Sequence, residues 1–248
     1  MVKSVLITGA TGSIGSDLCR RLTDSFDVRS GVRHPVEGFP SPVVCELRDF
    51  DSVLGAVQGV DAVVHLAGQS WEADVHEYMI PDNVTGCYNL FEAARQAGVK
   101  RVIFASTYHV VKLYLEEGKR VDERVPVRPD TFYAVTKVFG EALARYYAEV
   151  HGLSVISARI GWFIPPDRLL SKSVLSEHFS QVRSLWISPR DMGQFITRCL
   201  TVEDIAYEVL NCTSGNAVSM LDLSRAREVL GYAPQDDAER LIQAAGQA

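Results

Sequence analysis

Residues 5–22, VLITGATGSIGSDLCRRL, constrain this chain more than any other stretch. A β-branched, apolar run breaks at Gly9, Gly12 and Gly15 and passes into a helical pattern. Strand, glycine turn and helix in that order open a β-α-β unit. Glycines at this spacing let the backbone approach a pyrophosphate, and the helix N-terminus aims unpaired N–H groups at it. Thr11, Ser13 and Ile14 lie between and beside the glycines and belong to the same candidate nucleotide site. A tight β-α turn with no ligand is the alternative that spacing alone leaves open.

The rest of the first half keeps the same rhythm. DVRSGV, SPVVCEL, DAVVHLAG, RVIFAST and SVISARI read as strands, separated by helices over residues 50–58, 83–97 and 131–150. Such alternation implies right-handed crossovers and a parallel sheet covered on both faces: a doubly wound, Rossmann-type α/β fold. After Arg159 the rhythm loosens. GWFIPPDRLLSKSV reads as a Pro-containing loop, VRSLWISPRDMGQFITRCL as a strand running into a helix, and YEVLNCTSG as a last strand. A short helix ending at Gly231 follows. With no repeat or low-complexity linker, residues 1–248 are expected to form one domain. Within it, residues 1–159 form a dinucleotide-binding core, and residues 160–248 a small substrate-binding portion that completes the sheet.

Composition excludes several classes of function. A net charge of −6 without a dense Lys/Arg run argues against a nucleic-acid partner. No apolar stretch is long enough to span a bilayer, and the start lacks the basic lead and cleavage site of a signal peptide. Cys19, Cys45, Cys87, Cys199 and Cys212 are scattered with no C-x-x-C pair. That pattern reads as reduced cytoplasmic thiols and no metal site.

Which dinucleotide is expected follows from the end of the second strand, DVRSGVRHP. An acid commonly stands there to bond the adenosine ribose of NAD. Here Gly31 and Val32 occupy that place and Arg33 follows, so its guanidinium can meet a 2′-phosphate. The reading is NADP, with NAD as the alternative, in which Arg33 is a loop residue stacked on adenine. The helix over residues 131–150 raises a different question. Phe132, Val135, Phe139, Ala142, Leu143 and Tyr146 form a stripe expected to pack into the core, while Tyr133 and Lys137 sit one turn apart on another side.

Together these pieces resemble the extended short-chain dehydrogenase/reductase family, also described as the NAD-dependent epimerase/dehydratase family. The matching segments are TGATGSIG, HLAG at 65–68, NVTGCYNLFEAARQAGVKRVIFAST at 83–107 and YAVTK at 133–137. Within the family the likeness runs to bacterial uronate dehydrogenases, through FASTYH, RPDTFYAVTKVFGEALARYY and ARIGWF. The resemblance implies that Tyr133 is the general acid/base, and that Lys137 lowers the pKa of the tyrosine and bonds the nicotinamide ribose. Thr107 rather than Ser106 is the implied hydroxyl that orients the substrate oxygen. Glu46 and Leu47 match an Asp-Leu pair that holds adenine; Leu66, Ala67 and Gly68 flank the cofactor, and Asn83 opens the helix behind it. His65 reads as a packed core histidine.

The same resemblance places substrate contacts on Ser70, Tyr108, His109, Trp162 and Arg168, with Arg168 as the carboxylate clamp of a uronate. Tyr108 stands where Asn is expected and Trp162 where a small Ser is expected; both add bulk and remove polarity. PPDRLLS is also shorter than its counterpart. The implied reaction is hydride transfer between NADP or NAD and a carbinol carbon of a small sugar or sugar acid, for a uronate the oxidation of C1 to a lactone. The short C-terminal portion and acidic PQDDAE tail argue against a nucleotide sugar. Alternatives are an epimerase or dehydratase that retains its cofactor and a non-catalytic dinucleotide sensor. The family commonly pairs through the helices matching 83–97 and 131–150, which implies a homodimer.

Overall fold

The structure, a computed structural model, describes residues 2–70 and 73–246. Its first half alternates as the apolar runs require: β1 (Ser4–Thr8), α1 (Ser13–Leu22), β2 (Asp27–Val32), β3 (Pro42–Val44), α2 (Phe50–Val57) and β4 (Ala62–His65). A π-helical segment (Val75–Thr85) leads into α3 (Gly86–Gln96), followed by β5 (Arg101–Thr107), α4 (Lys112–Glu116), α5 (Phe132–His151) and β6 (Ser154–Ile160). Then come β7 (Trp162–Phe163), α6 (Pro166–Leu169), α7 (Lys172–Leu185), β8 (Trp186–Ile187), α8 (Pro189–Thr201), β9 (Tyr207–Cys212), α9 (Ser224–Leu230) and α10 (Ala238–Gly246).

Seven parallel strands form one sheet in the order β3-β2-β1-β4-β5-β6-β9. The alternation within β1 explains the two covered faces. Val5 and Ile7 meet Leu18 and Leu22 of α1 and Phe195 of α8 in one core, whereas Leu6 joins Leu90 and Phe91 of α3 in the other. Because the chain winds outward from β1 in both directions, a crevice opens between β1 and β4 at their C-terminal ends, where ligands of such sheets bind.

Four expectations are corrected. The helix expected over 83–97 starts as a π-helix that contains Pro81; proline has no N–H to close an ordinary turn, and the Asp74 carboxylate caps the N–H groups of His76 and Glu77. GWFIPPDRLLSKSV is not a loop. It holds β7, α6 and the start of α7, and β7 pairs with β8, which lies inside the second region. The helix α10 beyond Gly231 was not anticipated. Finally, the apolar stripe of α5 is only partly covered: Phe139 and Leu143 pack against the core, but Val135 is 45% exposed and Tyr146 48%. The buried face carries Lys137, Gly140, Glu141, Ala144 and Tyr147 instead. Close approach decides this, since a Cβ on Gly140 would lie 2.1 Å from the Phe104 ring of β5.

Candidate active site

A cleft of about 760 Å³ runs along the C-terminal ends of the central strands. Its floor is the glycine loop. Gly9 takes φ +68°, and a Cβ there would stand 2.9 Å from the Ala67 nitrogen; one on Gly15 would stand 2.2 Å from the Gly9 oxygen. Gly12 caps α1 with extended backbone and no side-chain bond. The N–H groups of Ser13, Ile14 and Gly15, all lining the cleft, have no backbone partner among the described residues. Such a side-chain-free cradle beneath unpaired amides fits a dinucleotide pyrophosphate.

Thr11 completes the loop, and Arg33, Glu46 and Leu47 line the far end of the same cleft. Arg33 is exposed just past β2. The Glu46 carboxylate accepts from the Arg48 N–H at 3.2 Å. Leu66, Ala67 and Gly68 form the wall beyond β4. The Thr8 hydroxyl fixes that wall, lying 2.8 Å from His65 Nδ1 and accepting the Ala67 N–H at 3.2 Å. Burial pushes His65 down to about 3, so the ring is neutral there.

Asn83 is buried behind the wall, and its contacts are to protein. It accepts the Gln69 N–H at 2.7 Å and donates to the Gln69 carbonyl and the Thr136 hydroxyl, each at 3.0 Å. It thereby ties the loop after β4 to α5, one residue from Lys137.

Thr107, Tyr133 and Lys137 meet at the other end of the cleft. Thr131 starts α5 by accepting the Ala134 N–H, which brings Tyr133 to the mouth and Lys137 one turn inward. A hydrogen bond joins Thr107 to the Tyr133 side chain. The Ser106 hydroxyl turns away and donates to Glu141 at 2.6 Å. Lys137 Nζ lies 5.7 Å from the centre of the Tyr133 ring and 5.1 Å from that of Phe104.

In the ligand-free site burial dominates the electrostatics. Burial pushes the Tyr133 phenol up to about 12, against the weaker effect of Thr107, and Lys137 is not among the causes. The dry site penalises the phenolate more than the ammonium favours it. Burial also lowers Lys137, from 10.5 to about 8. Between those values the unfolded chain holds this proton more tightly than the folded one, so stability from this group rises with pH from about 8 to 10.5. Below pH 8 the cost is fully present, roughly 3 kcal/mol. Lys137→Met is therefore expected to raise the melting temperature of the ligand-free protein at pH 7, and to raise it less at pH 10. Calorimetry showing a lower melting temperature at pH 7 refutes this.

Of the expected substrate contacts, Ser70 lines the cleft, while Tyr108, His109, Trp162 and Arg168 lie outside its lining. Tyr108 is buried against Val110, Val111 and Leu115. His109 Nδ1 is 2.9 Å from both carboxylate oxygens of Asp130, and its ring meets that of Tyr133 edge-on at 6.2 Å. Trp162 meets His178 edge-on at 5.0 Å, and Arg168 is exposed on α6. Sequence reading missed Arg48, Tyr78 and Asp82, which also line the cleft. Arg48 Nε donates to Asp82 at 2.6 Å and its guanidinium lies 5.8 Å from the Tyr78 ring, contacts with no local signal in the chain.

The NAD dependent epimerase/dehydratase family model matches residues 5–182. The chain belongs to that family. It is 34% identical to an L-arabinose 1-dehydrogenase (NAD(P)(+)) of Haloferax volcanii, over 96% of this chain and 99% of that one. It is 33% identical to a uronate dehydrogenase of Pseudomonas putida, over 95% of this chain and 85% of the relative. Among solved structures, a mutant uronate dehydrogenase of Agrobacterium tumefaciens complexed with NAD superposes with a TM-score of 0.86 at 30% identity, over 100% of this chain and 90% of that one. These relatives are dehydrogenases, named for NAD(P) in the L-arabinose enzyme and solved with NAD in the uronate enzyme, whose structure shares the fold seen here.

Proposed function

We propose that this member of the family oxidises C1 of a small cyclic sugar or sugar acid to a lactone, with NADP or NAD as hydride acceptor. The observation that carries the reading is the convergence of Thr107, Tyr133 and Lys137 at the end of the cleft opposite Arg33. The named activities of the similar proteins, on L-arabinose and on uronates, support the sugar class. Thr107 and Tyr133 bond the C1 hydroxyl, which fixes its oxygen and aligns its proton with the phenol. Tyr133, once ionised to the phenolate, would take that proton as the C–H bond breaks, and Lys137 would bond the ribose hydroxyls of the cofactor. A bound oxidised nicotinamide supplies the hydride acceptor and a positive charge beside the phenol. The glycine loop and the N-terminus of α1 hold the pyrophosphate, Leu66, Ala67 and Gly68 flank the cofactor, and Asn83 positions that wall. Residues 160–248 supply the substrate side and the last strand.

The test is an absorbance assay of either cofactor with aldoses, uronates and small alcohols. Net cofactor reduction with lactone formation supports the reading. Product without net reduction belongs to an epimerase, and tight cofactor binding without turnover belongs to a sensor.

NADP is the proposed preference. No acid ends β2, and His34 and Arg48 join Arg33 along the far end of the cleft. Arg33→Ala is expected to weaken NADP binding by roughly tenfold to a hundredfold and to leave NAD nearly unchanged. Titration by quenching of protein fluorescence measures both, and unchanged NADP affinity refutes the role. A homodimer through α3 and α5 is also proposed. Outward-facing Tyr88 on α3, with Val135, Tyr146 and Val150 on α5, supports it, and sedimentation equilibrium tests it. The buried free thiols support a cytoplasmic setting, and fractionation of the native host tests that.

A further inference from the structure

Charge is distributed unevenly along the cleft. Arg33, His34 and Arg48 gather at the adenosine end. Around Thr107 and Tyr133 the lining consists of uncharged Gln69, Ser70, Ile160 and Gly161, and Lys137 is the sole cation there among the described residues. Lys137 is buried beneath Tyr133, where it is set to bond the cofactor rather than the substrate.

Several cations of the described residues are paired with acids or exposed outside the cleft lining. Arg159 is locked to Glu141 at 2.8 Å, and Arg183 pairs with Glu239 at 2.9 Å. Lys112 lies 3.1 Å from Glu116 and 3.5 Å from Asp130. Arg168 points into solvent from α6, outside the cleft lining. Behind His109 stands an acid, Asp130, 2.9 Å from its Nδ1.

We propose that the sugar this site oxidises is an uncharged aldose, and that uronates and sugar phosphates are selected against because, among the described residues, the lining around Thr107 and Tyr133 holds no cation besides the buried Lys137. The inference rests on the dehydrogenase reading and narrows its substrate class. An anion brought into the cleft loses hydration without gaining a partner, whereas hydroxyls find Ser70 and Thr107.

The test compares kcat/KM for sugars that differ only at C6: D-galactose against D-galacturonate, D-glucose against D-glucuronate and D-glucose 6-phosphate, and the pentoses of matching configuration that lack C6. Each is run with saturating NADP and with saturating NAD. The neutral sugars are expected to exceed their charged counterparts by at least about tenfold. Equal or faster turnover of a uronate or phosphate overturns the inference and leaves the dehydrogenase reading standing. If no sugar is turned over while fluorescence titration shows the reduced cofactor bound, the dehydrogenase reading falls and the inference falls with it.

Discussion

Tyr133→Phe is expected to lower kcat by roughly 10²–10⁴-fold while leaving the affinity for reduced cofactor within about twofold. The phenol is the group at the cleft mouth that can move a proton to or from a carbinol oxygen bonded to Thr107. Phenylalanine keeps the ring, its packing beside His109 and its contact with Lys137, so loss of turnover without loss of cofactor binding isolates the hydroxyl. Because burial holds the phenol near 12 in the ligand-free site, it is protonated at neutral pH, ready to donate in the direction of carbonyl reduction. As a base it needs added positive charge, so the oxidation rate is expected to rise with pH across the neutral range. Near-normal turnover of the variant would falsify the proton-transfer role.

The second large effect is on stability. Glu141→Ala is expected to cost about 3–5 kcal/mol, measured by urea denaturation. Glu141 lies one turn beyond Lys137 on the buried face of α5. One of its carboxylate oxygens accepts from Ser106 at 2.6 Å and Arg159 Nε at 2.9 Å, and the other accepts from Arg159 Nη2 at 2.8 Å. Truncation strands a buried guanidinium at the end of β6 and loosens the strand end that carries Thr107. Replacing both partners by leucine is expected to recover much of the lost stability, since no unpaired charge remains. A single-variant loss below about 1 kcal/mol would show that the network is hydrated rather than dry.

How much of this was legible in the chain differs from feature to feature. The glycine loop, the alternating strands and the Tyr-Lys pair are local patterns, each written within a dozen or so residues, and the fold class follows from them. The orientation of α5 was not legible. Its apolar stripe suggested a buried side, yet small Gly140 and Ala144 lie on the face that meets the sheet, and of the stripe Phe132, Val135, Ala142 and Tyr146 remain exposed. The charge on Tyr133 was likewise out of reach. Residue spacing puts an ammonium nearby, but only burial shows that desolvation outweighs it. The substrate side was the least legible, because β7 and β8 are two-residue strands that exist only by pairing with each other.

The sequence by itself determined that a parallel sheet would present a phosphate cradle and a hydroxyl–phenol–ammonium set along one edge, because backbone conformation and helical periodicity act over short range. Only the tertiary structure decided what surrounds that set. Asp130 stands behind His109, Asp82 holds Arg48, and Arg168 faces solvent. Such pairings join residues far apart in the chain, and their energies depend on burial, which no local pattern encodes.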